Sequence, residues 1–347
     1  MMAQYLCLQP YRLHLVMTQA VSQPPLLEDI SHDFFPVLPS LVLRPPRGQF
    51  DIYIRSEDSF TLYAKAGDSF TEHHETALSE HGRNVVYIKQ NQRPEYFDHL
   101  VTHLGDTLLD EHIPRPTRAQ VFYETSLEVV EEVFTKKLPP MVNRKQFDRV
   151  FEFVTKGVSF LTLENSLQTM GSIIAHDYQT YSHSLHVFVY SQLILQTYGF
   201  AERDMVQFGL GAILHDIGKR RIPEEILTKP GRLSPEERDC INTHPVHGAG
   251  LCAQLPLSQD ALNCILLHHE KLDGSGYPCG LTEEHIPLAV RAITIADIYD
   301  AIRSSRPYSD GTDAFKTLRI MKEEMSTQID MNVFRRFIKI LSGNHVI

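Results

Sequence analysis

The residues of this chain that are best suited to chemistry lie in two clusters of histidine and acid. Two residues separate His268-His269-Glu270 from residues 273–278, a loop with the sequence Asp-Gly-Ser-Gly-Tyr-Pro. An upstream cluster at residues 215–219 reads His-Asp-Ile-Gly-Lys, with His244 between the two clusters and Asp297 beyond them. Imidazole and carboxylate groups without thiolate suit iron, manganese, zinc or nickel better than calcium or magnesium. The residue types therefore predict a metal site beside a glycine-containing loop.

The dipeptide His215-Asp216 offers two kinds of ligand. A carboxylate can bridge two cations with its two oxygens, whereas a neutral imidazole binds one. Lys219 lies three residues after Asp216, so on a helix it projects from a nearby face and can approach a phosphate oxygen as a point charge. A His-Asp dipeptide alone is equally compatible with a hydrogen-bonded pair near a helix end. The metal interpretation therefore depends on the other candidate ligands.

The other candidate ligands are expected on apolar helices. His183 precedes residues 185–194, a segment that is apolar nearly all round and is therefore predicted to be a buried helix. His244 lies at a helix break before a proline, and Asp297 and Asp300 share one face of a further helix. Buried ionisable groups are costly unless they are paired or coordinated. Several of them with apolar flanks favour one shared cation site over separate core histidines.

The elements that must position these residues are predicted to be mostly helical. Alternating apolar residues over 50–64 indicate a β-hairpin, and residues 118–137 carry apolar side chains at helical spacing. From residue 144 onward the pattern is helical almost throughout. We expect a mostly α protein with four parts: a poorly ordered lead-in at residues 1–35, a small α+β regulatory or sensory module at 36–112, a helical linker at 113–142 and an all-helical bundle at 143–345.

The composition of the chain indicates which kinds of binding partner and cellular environment are expected. The 347 residues carry a formal net charge of −10, so binding to long nucleic acid is not expected. No apolar run is long enough to span a bilayer, and residues 1–24 lack the compact apolar stretch of a secretory signal. The five cysteines form no Cys-x-x-Cys pair, which is typical of free thiols in a reducing cytoplasm. A small anionic substrate is compatible with this charge, because bound cations reverse the local sign.

Taken in order, the motifs resemble those of the HD-GYP domain, a subgroup of the all-helical HD superfamily. The resemblance covers roughly residues 140–345 and is carried by His215-Asp216-x-Gly218-Lys219, Ile222-Pro223, Lys229-Pro230-Gly231, His244-Pro245, His268-His269-Glu270-x-x-Asp273-Gly274-x-Gly276-Tyr277-Pro278, Asp297-x-x-Asp300-Ala301 and Arg306-Pro307-Tyr308. Domains of this family are bacterial, metal-dependent phosphodiesterases. The resemblance implies hydrolysis of cyclic di-GMP to linear pGpG, in some members on to GMP, under regulation by the N-terminal module.

The same resemblance implies roles for individual residues. One metal would be held by His183, His215, Asp216 and Asp297, and a second would share Asp216 and add His244, His268 and His269. The two divalent ions, which we expect to be iron or manganese, would be bridged by a water or hydroxide. Lys219 would contact the scissile phosphate, and the dinucleotide pocket would be lined by Gly276, Tyr277 and Arg306. Asp300 would act with Asp216 and Lys219 in catalysis, either from behind a ligand or near the bridging water.

Two positions depart from the fullest family pattern. Some members bind a third metal through a Glu four residues before the first His ligand, whereas this chain has Gln179, which favours two metals. Ser309 stands where the family often has Lys or Arg, so one phosphate contact is expected to be missing. A catalytically weak or inactive effector that binds cyclic di-GMP or protein partners is the alternative function. Preference for cyclic GMP-AMP is a variant of the enzymatic one.

The sequence leaves three further roles open. Glu270 could be a catalytic acid, a salt-bridge partner or a group that orients His268 or His269, and we favour the last of these. His186 is predicted to be a surface or satisfied structural residue. The helix of residues 118–137 could relay a signal from the N-terminal module or pair two protomers in a homodimer, and regulatory protein partners are compatible with both.

Overall fold

The structure is a computed structural model that describes residues 33–42, 48–56, 59–68, 74, 78, 85–135, 144–163, 170, 182–304 and 314–342. The described residues form two compact units, which divide between residues 125 and 126. The predicted fold class is confirmed: the chain is mostly helical, with a small antiparallel sheet near its N-terminus. Apart from its last three residues, the predicted lead-in lies outside the described residues.

The first unit contains a four-stranded antiparallel sheet. Its strands are β1 (Phe34–Val37), β2 (Ile52–Ser56), β3 (Ser59–Ala64) and β4 (Val86–Lys89), in the spatial order β1-β4-β2-β3. Strands β2 and β3 form the predicted hairpin, in which Ile54 lies opposite Thr61. Two of the helices described in this unit are the short α1 (Pro39–Val42) and α2 (Arg93–Leu109).

The second unit is a helical bundle. Helix α3 (Arg115–Thr135) runs across the division between the units, and the later helices are α4 (Arg144–Leu161), α5 (Ser182–Gln196), α6 (Glu202–Leu214), α7 (Glu224–Leu227), α8 (Pro235–Asn242), α9 (His244–Cys252), α10 (Gln259–Leu267), α11 (Leu288–Ser304), α12 (Ala314–Glu324) and α13 (Met331–Leu341). Two short 3₁₀ turns, Ile217–Arg221 and Glu283–His285, join some of them. None of the described helices is both long and apolar enough to cross a membrane.

Helix α5 lies at the centre of the bundle because its side chains are apolar on nearly every face. It packs against α6 on one side and α11 on another. Phe188 and Ile194 on α5 and Ile293 on α11 are fully buried. The first turn of α5 carries His183, and the second half of α11 carries Asp297 and Asp300. Packing of these two apolar helices therefore brings one imidazole close to two carboxylates.

The other ligand candidates are positioned by a close approach of the first 3₁₀ turn to α9. The Cβ of an alanine at Gly218 would overlap the carbonyl oxygen of His244 and would lie 2.5 Å from the backbone nitrogen of Gly248. A side chain at residue 218 would push the turn away from α9, so glycine is required for this contact. The contact fixes Asp216, two residues before the glycine, relative to His244.

Candidate metal centre

Three of the candidate histidines lie just beyond the ends of helices, and the same kind of hydrogen bond orients each ring. His215 follows α6, His268 follows α10, and His244 lies two residues after the end of α8. In each case Nδ1 lies 2.7–2.9 Å from the carbonyl oxygen three residues earlier, in the last helical turn; these carbonyls belong to Ala212, Ile241 and Ile265. Because a carbonyl can only accept, Nδ1 carries the hydrogen. The neutral ring then presents a lone pair at Nε2.

The Nε2 atoms of these three rings converge on Asp216. Its carboxylate oxygens lie 3.3 Å from Nε2 of His244, 3.5 Å from that of His215 and 3.9 Å from that of His268. The Nε2 atoms of His244 and His268 are 3.2 Å apart. Two lone pairs at this distance repel each other unless a cation lies between them. Among the described residues, Nε2 of buried His215 has no hydrogen-bond partner, which is the state expected of a metal ligand.

Burial and local charge hold these groups in the protonation states that bind cations. Burial lowers the pKa of His215 and His268, and it lowers the pKa of His269 to about 3, so these imidazoles are neutral at pH 7. Burial alone would raise the pKa of the Asp216 carboxyl. The Lys219 ammonium leads the contacts that outweigh that effect and hold the pKa of Asp216 well below its usual range. The cluster thus offers neutral nitrogen and anionic oxygen donors.

The opposite side of the cluster is built from α5 and α11. Nε2 of His183 lies 3.1 Å from an oxygen of Asp297 and 3.9 Å from one of Asp216, and Asp297 also lies 3.8 Å from Nδ1 of His269. Burial lowers the pKa of His183, but its contacts with Asp297 and Asp300 dominate and raise this pKa to about 10. Without a metal, protonated His183 therefore compensates part of the buried negative charge.

The residues present fit divalent cations. Asp216, His244, His268 and His269 each offer a ligand atom, and these atoms all lie within 4.8 Å of one another; the same holds for His183, His215 and Asp216. Asp216 belongs to both groups, and Asp297 borders the second. The structure thus brings together the seven residues that the resemblance assigned to the metals, and the His/Asp cluster is able to hold metal.

Lys219 lies beside the cluster and reaches solvent. Its Nζ is 2.6 Å from an oxygen of Asp216, and its side chain is 40% exposed. A cation at the edge of a buried site can meet an incoming anion without losing its contact with Asp216. Three positions considered above, Arg306, Gln179 and Ser309, lie outside the described residues.

The glycine-containing loop folds back against the histidine pair. A Cβ at Gly276 would lie 2.5 Å from Cα of Glu270 and 2.6 Å from the carbonyl oxygen of His269, so the backbone approaches too closely for a side chain. The ring of Tyr277 lies over that of His269, with centroids 4.7 Å apart and planes inclined by 32°. Gly276 thus allows the close packing, and Tyr277 borders the cluster.

Glu270 does not play the role that we favoured from the sequence. Its buried carboxylate accepts the backbone N–H groups of Cys279, at 2.6 Å, and of Leu281, at 2.9 Å. The expectation that it orients His268 or His269 is wrong, because its oxygens face the loop. The loop backbone offers unpaired N–H groups to the nearest buried acceptor. Glu270 therefore anchors the loop that carries Tyr277.

Asp300 lies behind His183, the first of the two positions expected for it. Its two oxygens lie 2.7 Å from Nδ1 of His183 and 2.8 Å from Nδ1 of His186. Burial raises the pKa of Asp300, but the two imidazoles outweigh it, so the pKa is held well below its usual value. Sequence reasoning gave His186 no part in the site. The available signal was its spacing, one helical turn after His183 on a helix that is apolar nearly all round.

The sequence is similar to those of known proteins whose names or family indicate the same kind of site. Residues 163–333 match the HD domain family. The chain is 37% identical over 184 residues to cyclic di-GMP phosphodiesterase PA4108 of Pseudomonas aeruginosa, a match that covers 52% of this chain and 44% of that protein. It is 36% identical over 181 residues to 3′3′-cGAMP-specific phosphodiesterase 3 of Vibrio cholerae, covering 52% of this chain and 39% of that protein. The chain thus spans less than half the length of these curated relatives.

A solved structure extends the likeness to the fold. Bd1817, an HDG"Y"P protein from Bdellovibrio bacteriovorus, matches with a TM-score of 0.61 over 90% of this chain and 100% of that chain, at 22% sequence identity. At this identity the match concerns the fold alone. This likeness of fold agrees with the family match: residues 163–333 carry the HD domain that the motifs predicted.

Proposed function

We propose that this HD domain hydrolyses a phosphodiester bond of cyclic di-GMP to give linear pGpG, with GMP as a further product. The observation that carries the proposal is the buried cluster around Asp216, in which three imidazoles fixed as Nδ1–H tautomers direct their Nε2 lone pairs inward. Support for the substrate comes from relatives that are themselves cyclic dinucleotide phosphodiesterases, at 34–37% identity.

Two divalent ions, iron or manganese, are proposed to occupy the cluster. The first would be held by His183, His215, Asp216 and Asp297, and the second by Asp216, His244, His268 and His269. When bound, such a pair supplies a water that is acidic enough to attack at neutral pH and neutralises charge on the phosphate oxygens. Donor chemistry favours a transition metal, because imidazole-rich sites prefer these ions to calcium and magnesium. The narrower choice of iron or manganese rests on the resemblance to the HD-GYP family.

The remaining site residues are proposed to bind and orient the dinucleotide. Lys219 would place its ammonium on the scissile phosphate from the solvent-facing edge of the cluster. Tyr277 would border the substrate where its ring covers His269, and Gly276 would keep the loop backbone close to the cluster. Arg306 is proposed as a further substrate contact on the family pattern. These groups suit a small dianion, and the net charge of −10 does not oppose it because the local charge is positive once cations bind.

A second substrate is favoured by one specific observation. The relative named as specific for 3′3′-cGAMP is 36% identical to this chain, nearly as similar as the cyclic di-GMP phosphodiesterase at 37%. The two substrates share the phosphodiester ring and differ in one base. Hydrolysis of 3′3′-cGAMP would therefore use the same cluster and the same Lys219.

The test is turnover by metal-loaded protein. Protein purified without oxygen and loaded with Mn²⁺ or Fe²⁺ is incubated with cyclic di-GMP or 3′3′-cGAMP, and linear products are separated by chromatography. We expect pGpG to accumulate with the wild type, and no product with His268→Ala that keeps its circular dichroism spectrum. The matched control is His247→Ala, which changes an exposed histidine of α9. Tight binding of cyclic di-GMP without turnover in either metal would instead support the effector function.

We propose further that residues 143–345 form the catalytic part of a regulated cytoplasmic protein. The module at 36–112 would transmit a signal, or a partner protein's binding, through the linker at 113–142. Pairing of two protomers through that linker is proposed from the sequence pattern of residues 118–137; the described apolar side chains of Phe122, Tyr123 and Val130 are themselves buried. Gel filtration with light scattering on the full chain tests the homodimer, since a monomeric mass across micromolar concentrations would exclude it.

A further inference from the structure

His186 is a buried histidine that the proposed chemistry does not use. It lies on α5, one helical turn after His183, and is 2% exposed. Its Nδ1 lies 2.8 Å from one oxygen of Asp300, whose other oxygen lies 2.7 Å from Nδ1 of His183. One carboxylate therefore joins two imidazoles of the same helix, and one of these imidazoles belongs to the candidate metal centre.

We infer that His186 is a positioning residue for the metal bound by His183, acting through Asp300; this inference rests on the proposed metal centre. Asp300 is 3% exposed and comes from α11. A carboxylate with a single N–H donor can still rotate about its Cβ–Cγ bond. A second donor on the second oxygen fixes the plane of the carboxylate, and this plane sets the direction in which Nδ1 of His183 points.

The orientation of Asp300 affects the position of the ligand atom, Nε2 of His183. Rotation of the His183 ring moves its Nε2 away from Asp297, which lies 3.1 Å away, and from Asp216, which lies 3.9 Å away. A carboxylate partner on the far nitrogen also makes an imidazole a more basic ligand, and loss of such partners costs about 10–100-fold in metal affinity. His186 should therefore affect the metal position that contains His183 and leave the position that contains His268 nearly unchanged.

Three variants separate positioning from packing. His186→Leu removes the donor and keeps much of the buried volume. His186→Asn places an amide nitrogen near the position of Nδ1, so it should restore the bond to Asp300. Gln192→Met is the matched control, since Gln192 is buried on the same helix and donates to the carbonyl oxygen of Met205, away from Asp300. Metal-free proteins are titrated with Mn²⁺ while the electron paramagnetic resonance signal of free Mn²⁺ is followed, and circular dichroism checks the fold.

We expect two Mn²⁺ sites in the wild type and in Gln192→Met. In His186→Leu one site should weaken about 10–100-fold while the other changes little, and His186→Asn should recover most of the lost affinity. Wild-type affinity at both sites of His186→Leu would overturn the inference, as would equal weakening of both sites or an Asn variant as defective as the Leu variant while folded. Absence of Mn²⁺ binding in the wild type would overturn the metal centre and the inference together. Intact Mn²⁺ binding without phosphodiesterase activity would overturn the proposed function alone.

Discussion

Replacement of Glu270 by Gln tests whether one buried carboxylate holds the glycine-containing loop, which carries Tyr277, in place. Glu270 is 2% exposed, and its two oxygens accept the N–H groups of Cys279 at 2.6 Å and Leu281 at 2.9 Å. Gln has almost the same shape but carries one oxygen and one NH₂ group. In the variant one of the two loop amides therefore faces another donor and loses its acceptor.

The magnitude follows from the kind of bond that is lost. A hydrogen bond to a charged group contributes about 1.5–3 kcal/mol, roughly twice a neutral one. When an amide hydrogen exchanges through local opening of the loop, losing this free energy makes the opening more favourable. Hydrogen exchange of the freed amide should then be about 10- to 150-fold faster, because about 1.4 kcal/mol corresponds to a factor of ten. The bond that remains also weakens, since its acceptor is now neutral.

Hydrogen exchange of Cys279 and Leu281, resolved by residue in the metal-free protein, measures the effect directly. Glu284→Gln is the matched control, because Glu284 is an exposed glutamate in the same connecting segment. We also expect the Michaelis constant for cyclic di-GMP to rise more than the turnover number falls, since the loop carries Tyr277. Wild-type exchange at both amides in Glu270→Gln would refute the anchoring role.

Four other substitutions have defined outcomes. Gly218→Ala pushes a methyl group against the backbone of α9 and should lower the free energy of unfolding by about 3 kcal/mol, the upper end for overpacking. In Gly250→Ala, on α9 itself, the added methyl group meets nothing within 4 Å, so the free energy of unfolding should rise by about 0.5–1 kcal/mol. Thermal denaturation compares the two variants. Burial raises the pKa of Asp330, but the contacts of its carboxylate with Arg291 and with the N–H groups at the start of α13 have the larger effect, so the net pKa is lowered. The charge of Asp330 therefore stabilises the fold above about pH 4, the pKa of Asp in the unfolded chain. Asp330→Asn, which still caps α13, should therefore be less stable than wild type at pH 7 and should approach it as the pH falls below about 4 in urea titrations. Lys219→Met should reduce turnover about 100-fold with unchanged metal content by elemental analysis, and equal loss of metal would assign Lys219 a structural role.

Much of the fold was predictable because its signals are local. Helical periodicity marked the bundle, and alternation marked the hairpin of β2 and β3. The position of β1 was not predictable in the same way, since it pairs with β4, more than 50 residues later: Phe34 lies opposite Lys89. Pairing between strands so distant in sequence depends on which apolar faces meet when the chain collapses. A local sequence pattern does not predict such pairing.

The site shows the same division between local and distant information. Adjacent motif residues such as His215 and Asp216 were predictable as ligand candidates from residue type and spacing alone. The partners of Glu270 and His186 were not, because both depend on groups brought together by the tertiary fold. His186 meets an aspartate 114 positions away, and Glu270 meets backbone amides that a sequence cannot distinguish from any others.

The ends of three helices help to determine the sign of charge that this site accepts. The last-turn carbonyls of α6, α8 and α10 accept the Nδ1–H groups of His215, His244 and His268. Each helix terminus carries about half a negative charge, and the hydrogen bond transmits part of that polarisation to the ring nitrogen that faces the cluster. In the metal-free protein, Lys219 at 2.6 Å from Asp216 and protonated His183 at 3.1 Å from Asp297 offset part of the negative charge. Because backbone carbonyls supply part of this field, loss of one aspartate should weaken cation binding without making the cluster attractive to anions.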